Sequence, residues 1–239
     1  MRVPFSQTGA GEGLSVIGAA QIIQDNLCAF FACFSKDDGT LKSKYNAIWV
    51  FVKNKFRITG IAQWNTDITA ETYFIKRTGA TVVAETVVKN SAGEIAVVAH
   101  SEACVIDLAT QRVRRVEYIE MPETEIYAPV SDMEFTRFSS DRAAGRCEFT
   151  VPPTAIDFCM HVNNVEYLRF ILNSTPVTYA LAHPVYEMEI HYVSQAREGE
   201  KLALASLDFQ AEKEDLSGKV YEIKNGDRVA VRCRILRKK

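Results

Sequence analysis

The chain has no CxxC pair among its six cysteines (Cys28, Cys33, Cys104, Cys147, Cys159 and Cys233), and His100, His161, His183 and His191 show no ligand spacing. A zinc site built on such spacings is thereby excluded. The cysteines read as reduced, mostly buried thiols of a cytoplasmic protein. There is no excess of basic charge: 28 Lys and Arg stand against 30 Asp and Glu, a net charge of -2. Nucleic acid is therefore not an indicated partner. No uninterrupted apolar run reaches the ~20 residues a membrane span needs. The longest helical pattern, Leu14 to Phe34, carries Gln21, Gln24, Asp25 and Asn26, and no leader-like apolar run follows Met1. Gly9, Gly11 and Gly13 lack the third glycine and the preceding strand of a dinucleotide loop, so they read as a flexible connection. What is present is core material: 47% of the 239 residues are hydrophobic, enough for one large domain or two small ones of ~100–150 residues.

The pattern of elements occurs twice. In Leu14 to Phe34, Val16, Ala19, Ala20, Ile23, Leu27, Phe30, Phe31 and Phe34 recur at helical steps. Ser15 or the preceding glycines can start that helix, and Asp37-Asp38-Gly39-Thr40 is expected to stop it. Strands follow at Ala47–Ile58, Asp67–Lys76, Thr81–Lys89 and Glu94–Asp107, with a turn at Asn90-Ser91-Ala92-Gly93 and a further strand at Arg112–Val116. Met121 to Asp132, with Pro122 and Pro129, breaks the pattern. A second helix is expected at Asn164–Asn173, then strands at Val185–Val193, Lys201–Gln210, Gly218–Lys224 and Asp227–Leu236, with Asn225-Gly226 as a hairpin. Lys89-Asn90 with Gly93 to Val97 is echoed by Lys224 to Val231. Each half is thus a long helix followed by an antiparallel meander that curls around it. This is an α+β fold, a tandem hotdog, whose two sheets can join edge to edge. The expected division is 1–121, a linker at 122–134, and 135–239.

One segment carries chemistry. Asp157-Phe158-Cys159-Met160-His161-Val162-Asn163-Asn164 sets a carboxylate and an imidazole four residues apart before a helix start. Free N–H donors at such a helix end, with a base near neutral pH, can serve attack on a carbonyl. Asn163 and Asn164 read as caps.

Asp157 to Tyr167 resembles D-x-N-x-H-V-N-N-x-x-Y, the signature of the acyl-acyl carrier protein thioesterases of bacteria and plant plastids. Tyr192 to Glu200 is similar to that family's Y-x-x-E-x-x-x-G-D segment, and Trp49 to Glu117 also fits. The resemblance covers nearly the whole chain. It implies a tandem hotdog that hydrolyses fatty acyl-carrier thioesters, with the carrier protein as partner and no cofactor beyond the phosphopantetheine that the substrate brings. The matching loop of the first half lacks an Asp/His pair, so a single active site is expected in the second half, with the acyl chain bound chiefly by the first. Acyl-coenzyme A hydrolysis and acyl-thioester binding without turnover are the competing readings. A tandem chain can act as monomer or homodimer.

The same comparison assigns the site residues. Asp157 and His161 match the family's Asp and His; Cys159 stands where the family has Asn, and Gln195, on a facing strand, where it has Glu. Asp157 could orient His161, hold water or attack. Cys159 could be a nucleophile if His161 and the helix end lowered its pKa. Arg112, Arg114 and Arg115, or Arg232, Arg234, Arg237, Lys238 and Lys239, could dock an acidic carrier.

Overall fold

In a computed structural model of the chain, every residue except Glu12 and Ile61 is described. Among the described residues, ten strands, numbered β1 to β10 along the chain, form one antiparallel sheet in the order β2-β3-β4-β1-β7-β10-β9-β8-β6, with the two-residue β5 added beside β4. The first half supplies β1 (Ala47–Ile58), β2 (Thr69–Arg77), β3 (Thr81–Lys89), β4 (Ile95–Asp107) and β5 (Val113–Arg114). The second supplies β6 (Ala144–Thr150), β7 (Val185–Tyr192), β8 (Lys201–Phe209), β9 (Leu216–Asn225) and β10 (Arg228–Lys238). The order β1-β4-β3-β2 in one half repeats as β7-β10-β9-β8 in the other. The halves meet where β1 pairs antiparallel with β7, from Lys53 opposite His191 to Arg57 opposite Glu187. This edge-to-edge join removes two exposed strand edges. The hairpins turn on Gly93 and Gly226, whose φ values of +81° and +59° are open to glycine at little cost.

α1 (Val16–Cys33) starts at Ser15, whose hydroxyl accepts the Gly18 N–H at 2.9 Å. Length and hydropathy alone would let α1 cross a membrane. Here Ala19, Ala20, Ile22, Ile23, Leu27 and Phe31 are instead buried in the core. α3 (Asn164–Leu172) is half as long and is followed by the short α4 (Val177–Ala182). One hydrophobic cluster joins α1, α3 and both halves of the sheet, so the two units share a core.

Three departures from the sequence reading matter. The stretch expected only to stop α1 starts a new helix, α2 (Asp38–Tyr45), because Asp37 caps it by accepting the Thr40 N–H at 3.0 Å. β6 and α4 were not anticipated. And residues 121–143 form a strap across the sheet face opposite the helices. Tyr127 donates its N–H to Phe74 on β2. Val130 and Ser131 donate theirs to Glu85 on β3, at 2.7 and 3.1 Å. Thr136 donates to Glu189 on β7, and Lys55 on β1 donates to the Glu134 carbonyl. Ser140 bonds Glu222 on β9. The strap explains why β3 is buried on both faces.

Candidate active site

The Asp157–His161 segment is a closed turn. The Asp157 N–H donates to the His161 carbonyl at 2.9 Å, and the Met160 N–H donates to the Asp157 carbonyl at 3.0 Å. Met160 takes a φ of +64° to close it. Asp157 Oδ1 accepts the Cys159 N–H at 2.8 Å. α3 begins directly beyond. Asn163 is its cap, accepting the Val165 N–H at 2.9 Å, and Gln24 of α1 also donates to it at 3.4 Å. Asn164 is the first helical residue and not a cap.

Facing the turn is not a strand. β7 ends at Tyr192, and Gln195 lies in the loop that follows, exposed, with its carbonyl accepting from Arg228 at 3.1 Å. The expected facing strand is corrected to a loop because β7 stops pairing there. Tyr167 anchors this loop: its hydroxyl accepts the Ala196 N–H at 3.0 Å, while the Ala196 carbonyl accepts the Val162 N–H at 2.9 Å. The tyrosine of the sequence motif thus fixes geometry, and burial pushes its own pKa up to about 12.

Asp157, Cys159, His161 and Gln195 all border one cavity of about 850 Å³. The cavity lies between the halves. Its first-half wall includes Cys28 and Phe31 of α1, Asp38 of α2, and Trp49 and Phe51 of β1. Phe31 and Trp49 stack at 4.2 Å and 7°. The sequence reading missed Gln24, Cys28 and Asp38. The charge pattern of α2, with Asp37 and Asp38 at its start and Lys42 and Lys44 in its last turn, was the available signal for the last.

The electrostatics separate the candidates. Burial holds the His161 pKa below the ordinary imidazole value, Arg197 adds to the effect, and Asp157 opposes it. His161 is therefore neutral near pH 7, and its buried Nδ1 has no hydrogen-bond partner among the described residues. Burial pushes the Cys159 thiol up to about 11, with Asp157 and Asp38 adding to the rise. The expected net lowering does not occur, because burial, reinforced by Asp157 and Asp38, outweighs the opposing charge of Lys42. A protonated thiol is a poor nucleophile.

Most side chains of the two basic clusters are paired within the chain. Arg114 donates twice to Asp107, and Arg115 pairs with Glu117. Arg232 pairs with Glu222, Arg234 with Glu187, and the buried Arg237 donates to the His183 carbonyl. His100 pairs with Glu85 and His191 with Glu189, while His183 Nδ1 lies 3.3 Å from the Lys238 carbonyl; all three lie apart from the cavity lining.

Residues 138–238 match the family model of the acyl-ACP thioesterase C-terminal domain. No curated protein matches the chain by sequence. Among solved structures, a Lactobacillus plantarum protein named as an oleoyl thioesterase superposes with a TM-score of 0.86 at 14% identity, covering 100% of this chain and 94% of that one. An acyl-ACP thioesterase from Bacteroides thetaiotaomicron gives 0.83 at 17%, covering 100% and 96%. The 12:0-ACP thioesterase from Umbellularia californica gives 0.83 at 14%, covering 100% and 92%. These likenesses establish the tandem hotdog fold over the whole length. The domain match falls on the half that carries the Asp157–His161 turn, and that half is similar to the acyl-ACP thioesterase C-terminal domain.

Proposed function

We propose that the protein hydrolyses the thioester of fatty acyl-acyl carrier protein and releases the free fatty acid. The observation that carries this reading is the Asp157–His161 turn opening onto a cavity whose far wall is apolar, with Cys28, Phe31, Ile48, Trp49, Phe51 and Ile106. Such a wall fits an acyl chain and supports binding of that chain by the first half. A thioester carbonyl is already activated and its leaving thiol has a pKa near ~8.5, so the chemistry asks for a positioned water, a base and charge stabilisation. Neutral His161 takes the proton from water as the oxygen attacks the carbonyl carbon. Asp157 stabilises the imidazolium that forms. The positive end of α3, beyond Asn163, lies at the developing oxyanion. No metal or organic cofactor enters these steps.

The test is direct. Purified protein receives acyl-carrier and acyl-coenzyme A thioesters of several chain lengths, and free acid and free thiol are measured. Stoichiometric release of both, faster from the carrier, is expected. Saturable binding without release defeats the hydrolase; equal or faster turnover of coenzyme A thioesters moves the substrate class.

A further inference from the structure

The carboxylates bordering the cavity are Asp37, Asp38 and Asp157. Asp37 is committed to α2, bonding both the N–H and the hydroxyl of Thr40. Asp157 belongs to the catalytic turn. Asp38 is left, and it comes from the other half of the molecule.

Its placement is fixed from two sides. It is the first residue of α2, and its Oδ1 accepts the Trp49 N–H of β1 at 2.8 Å. That bond locks the carboxylate against the wall, and Oδ2 has no hydrogen-bond partner among the described residues. No cation pairs with it there either. A half-buried carboxylate without a counter-charge is a cost that helix geometry does not require, since Asp37 already caps α2. The titratable and charged groups around this part of the cavity are Asp37 and Lys42 on or at the start of its own helix, Asp157 and Cys159 on the turn, and Cys28 on α1; Lys42 acts on Cys159 against the carboxylates. Burial raises the Asp38 pKa, the Trp49 N–H works against that rise, and Asp37 and Asp157 add to it. Asp38 in turn raises the pKa of both Cys159 and Cys28. These mutual effects span the cavity from the first-half wall to the catalytic turn.

We propose that Asp38 is a further catalytic residue, supplied by the first half, which holds the attacking water opposite Asp157 and His161. This rests on the thioesterase reading above. One O–H of the water donates to Asp38 Oδ2, which aims the oxygen lone pair at the carbonyl carbon. The other proton passes to His161 as the C–O bond forms. Collapse of the tetrahedral species breaks the C–S bond, and His161 returns its proton to the departing sulfur. The products are the carboxylic acid, which keeps the proton that faced Asp38, and the free thiol. The site is then complete only when both halves are in place.

Asp38→Asn is the informative variant, because its amide oxygen still accepts the Trp49 N–H and only the charge is lost. In the full chain, kcat is expected to fall about 100-fold with KM within about threefold, at an unchanged Tm. A kcat within about threefold of the unsubstituted protein overturns the role. A second readout needs no turnover: iodoacetamide labelling of Cys159 against pH, followed on its peptide by mass spectrometry. Loss of the Asp38 charge should move the Cys159 titration to lower pH. An unmoved titration overturns the placement. The two failures separate: an unsubstituted protein that hydrolyses no thioester defeats the hydrolase reading and this role with it, while a shifted Cys159 titration would still place Asp38 against the turn.

Discussion

Asp157 Oδ1 accepts the Cys159 N–H at 2.8 Å, so one carboxylate oxygen holds the turn and the other is left for chemistry. Asparagine supports the same turn through its own oxygen. Asp157→Asn should therefore fold with an unchanged Tm while kcat falls by about 10²–10⁴-fold. A melting temperature that drops with the rate would instead make Asp157 a turn residue.

Cys159 donates its backbone to that turn and keeps its proton on sulfur. Cys159→Ala preserves the N–H and removes a thiol held near 11. Hydrolysis is expected within about threefold of the unsubstituted rate, since the proposed mechanism has no covalent step at this sulfur. Loss of activity, or a trapped acyl group on Cys159 in mass spectrometry, would show that the thiol attacks.

The base assignment fixes a pH dependence. As the proposed base, His161 would act when neutral, so kcat/KM should rise with pH through its pKa, which lies below the ordinary 6.5. Arg197 helps to depress that value. Arg197→Gln removes a charge that disfavours the imidazolium, so the acid limb should move to higher pH and activity at pH 6 should fall relative to the plateau. A limb that stays put, or moves to lower pH, removes His161 as the base.

The sequence exposed the doubled architecture because both halves carry strong local signals. β1 and β3 were bounded to the residue, and Ser15, Gly93 and Gly226 sit where capping and hairpin chemistry put them. The Asp157–His161 turn was legible because its spacing precedes a periodic helix. The first-half wall was not. Asp38 lies in a stretch that reads as a helix stop, and Cys28 looks like one more position on an apolar helix. The strap was hidden for a different reason. Lys55, Glu85, Glu187, Glu189 and Glu222 alternate with apolar neighbours, which signals a solvent face. All five are buried, under a segment with no periodicity of its own.

Glu85 is the strap's deepest anchor. It is fully buried and accepts from His100, Tyr73, Val130 and Ser131. Burial works to raise its pKa, but these donors prevail and hold it at about 2, against an ordinary 4.5. Its contribution to stability is therefore present above the ordinary value and lost as pH falls from there toward 2. Glu85→Gln turns an amide toward donors and should cost on the order of 3 kcal/mol in denaturant unfolding at pH 7. It should also flatten the loss of stability below pH 4.5. An acid profile unchanged by the substitution would mean that other carboxylates control strap release.

Chain length should be set where α1 meets β1. Cys28 borders the cavity on the same helix as Phe31, one turn nearer the Asp157–His161 turn than the Phe31–Trp49 stack. Cys28→Phe places a ring in that space and leaves Asp157, His161 and Asp38 themselves unsubstituted. If the acyl chain lies along this wall, its last methylenes lose their room. Two methylenes at ~0.8 kcal/mol each amount to roughly a tenfold loss in kcat/KM for the longest good substrate. Carrier thioesters stepped by two carbons should show the optimum moving to shorter chains, with the shortest substrates unaffected. An unchanged length profile would place the chain outside the first-half wall and leave the Asp157–His161 turn serving a differently routed substrate.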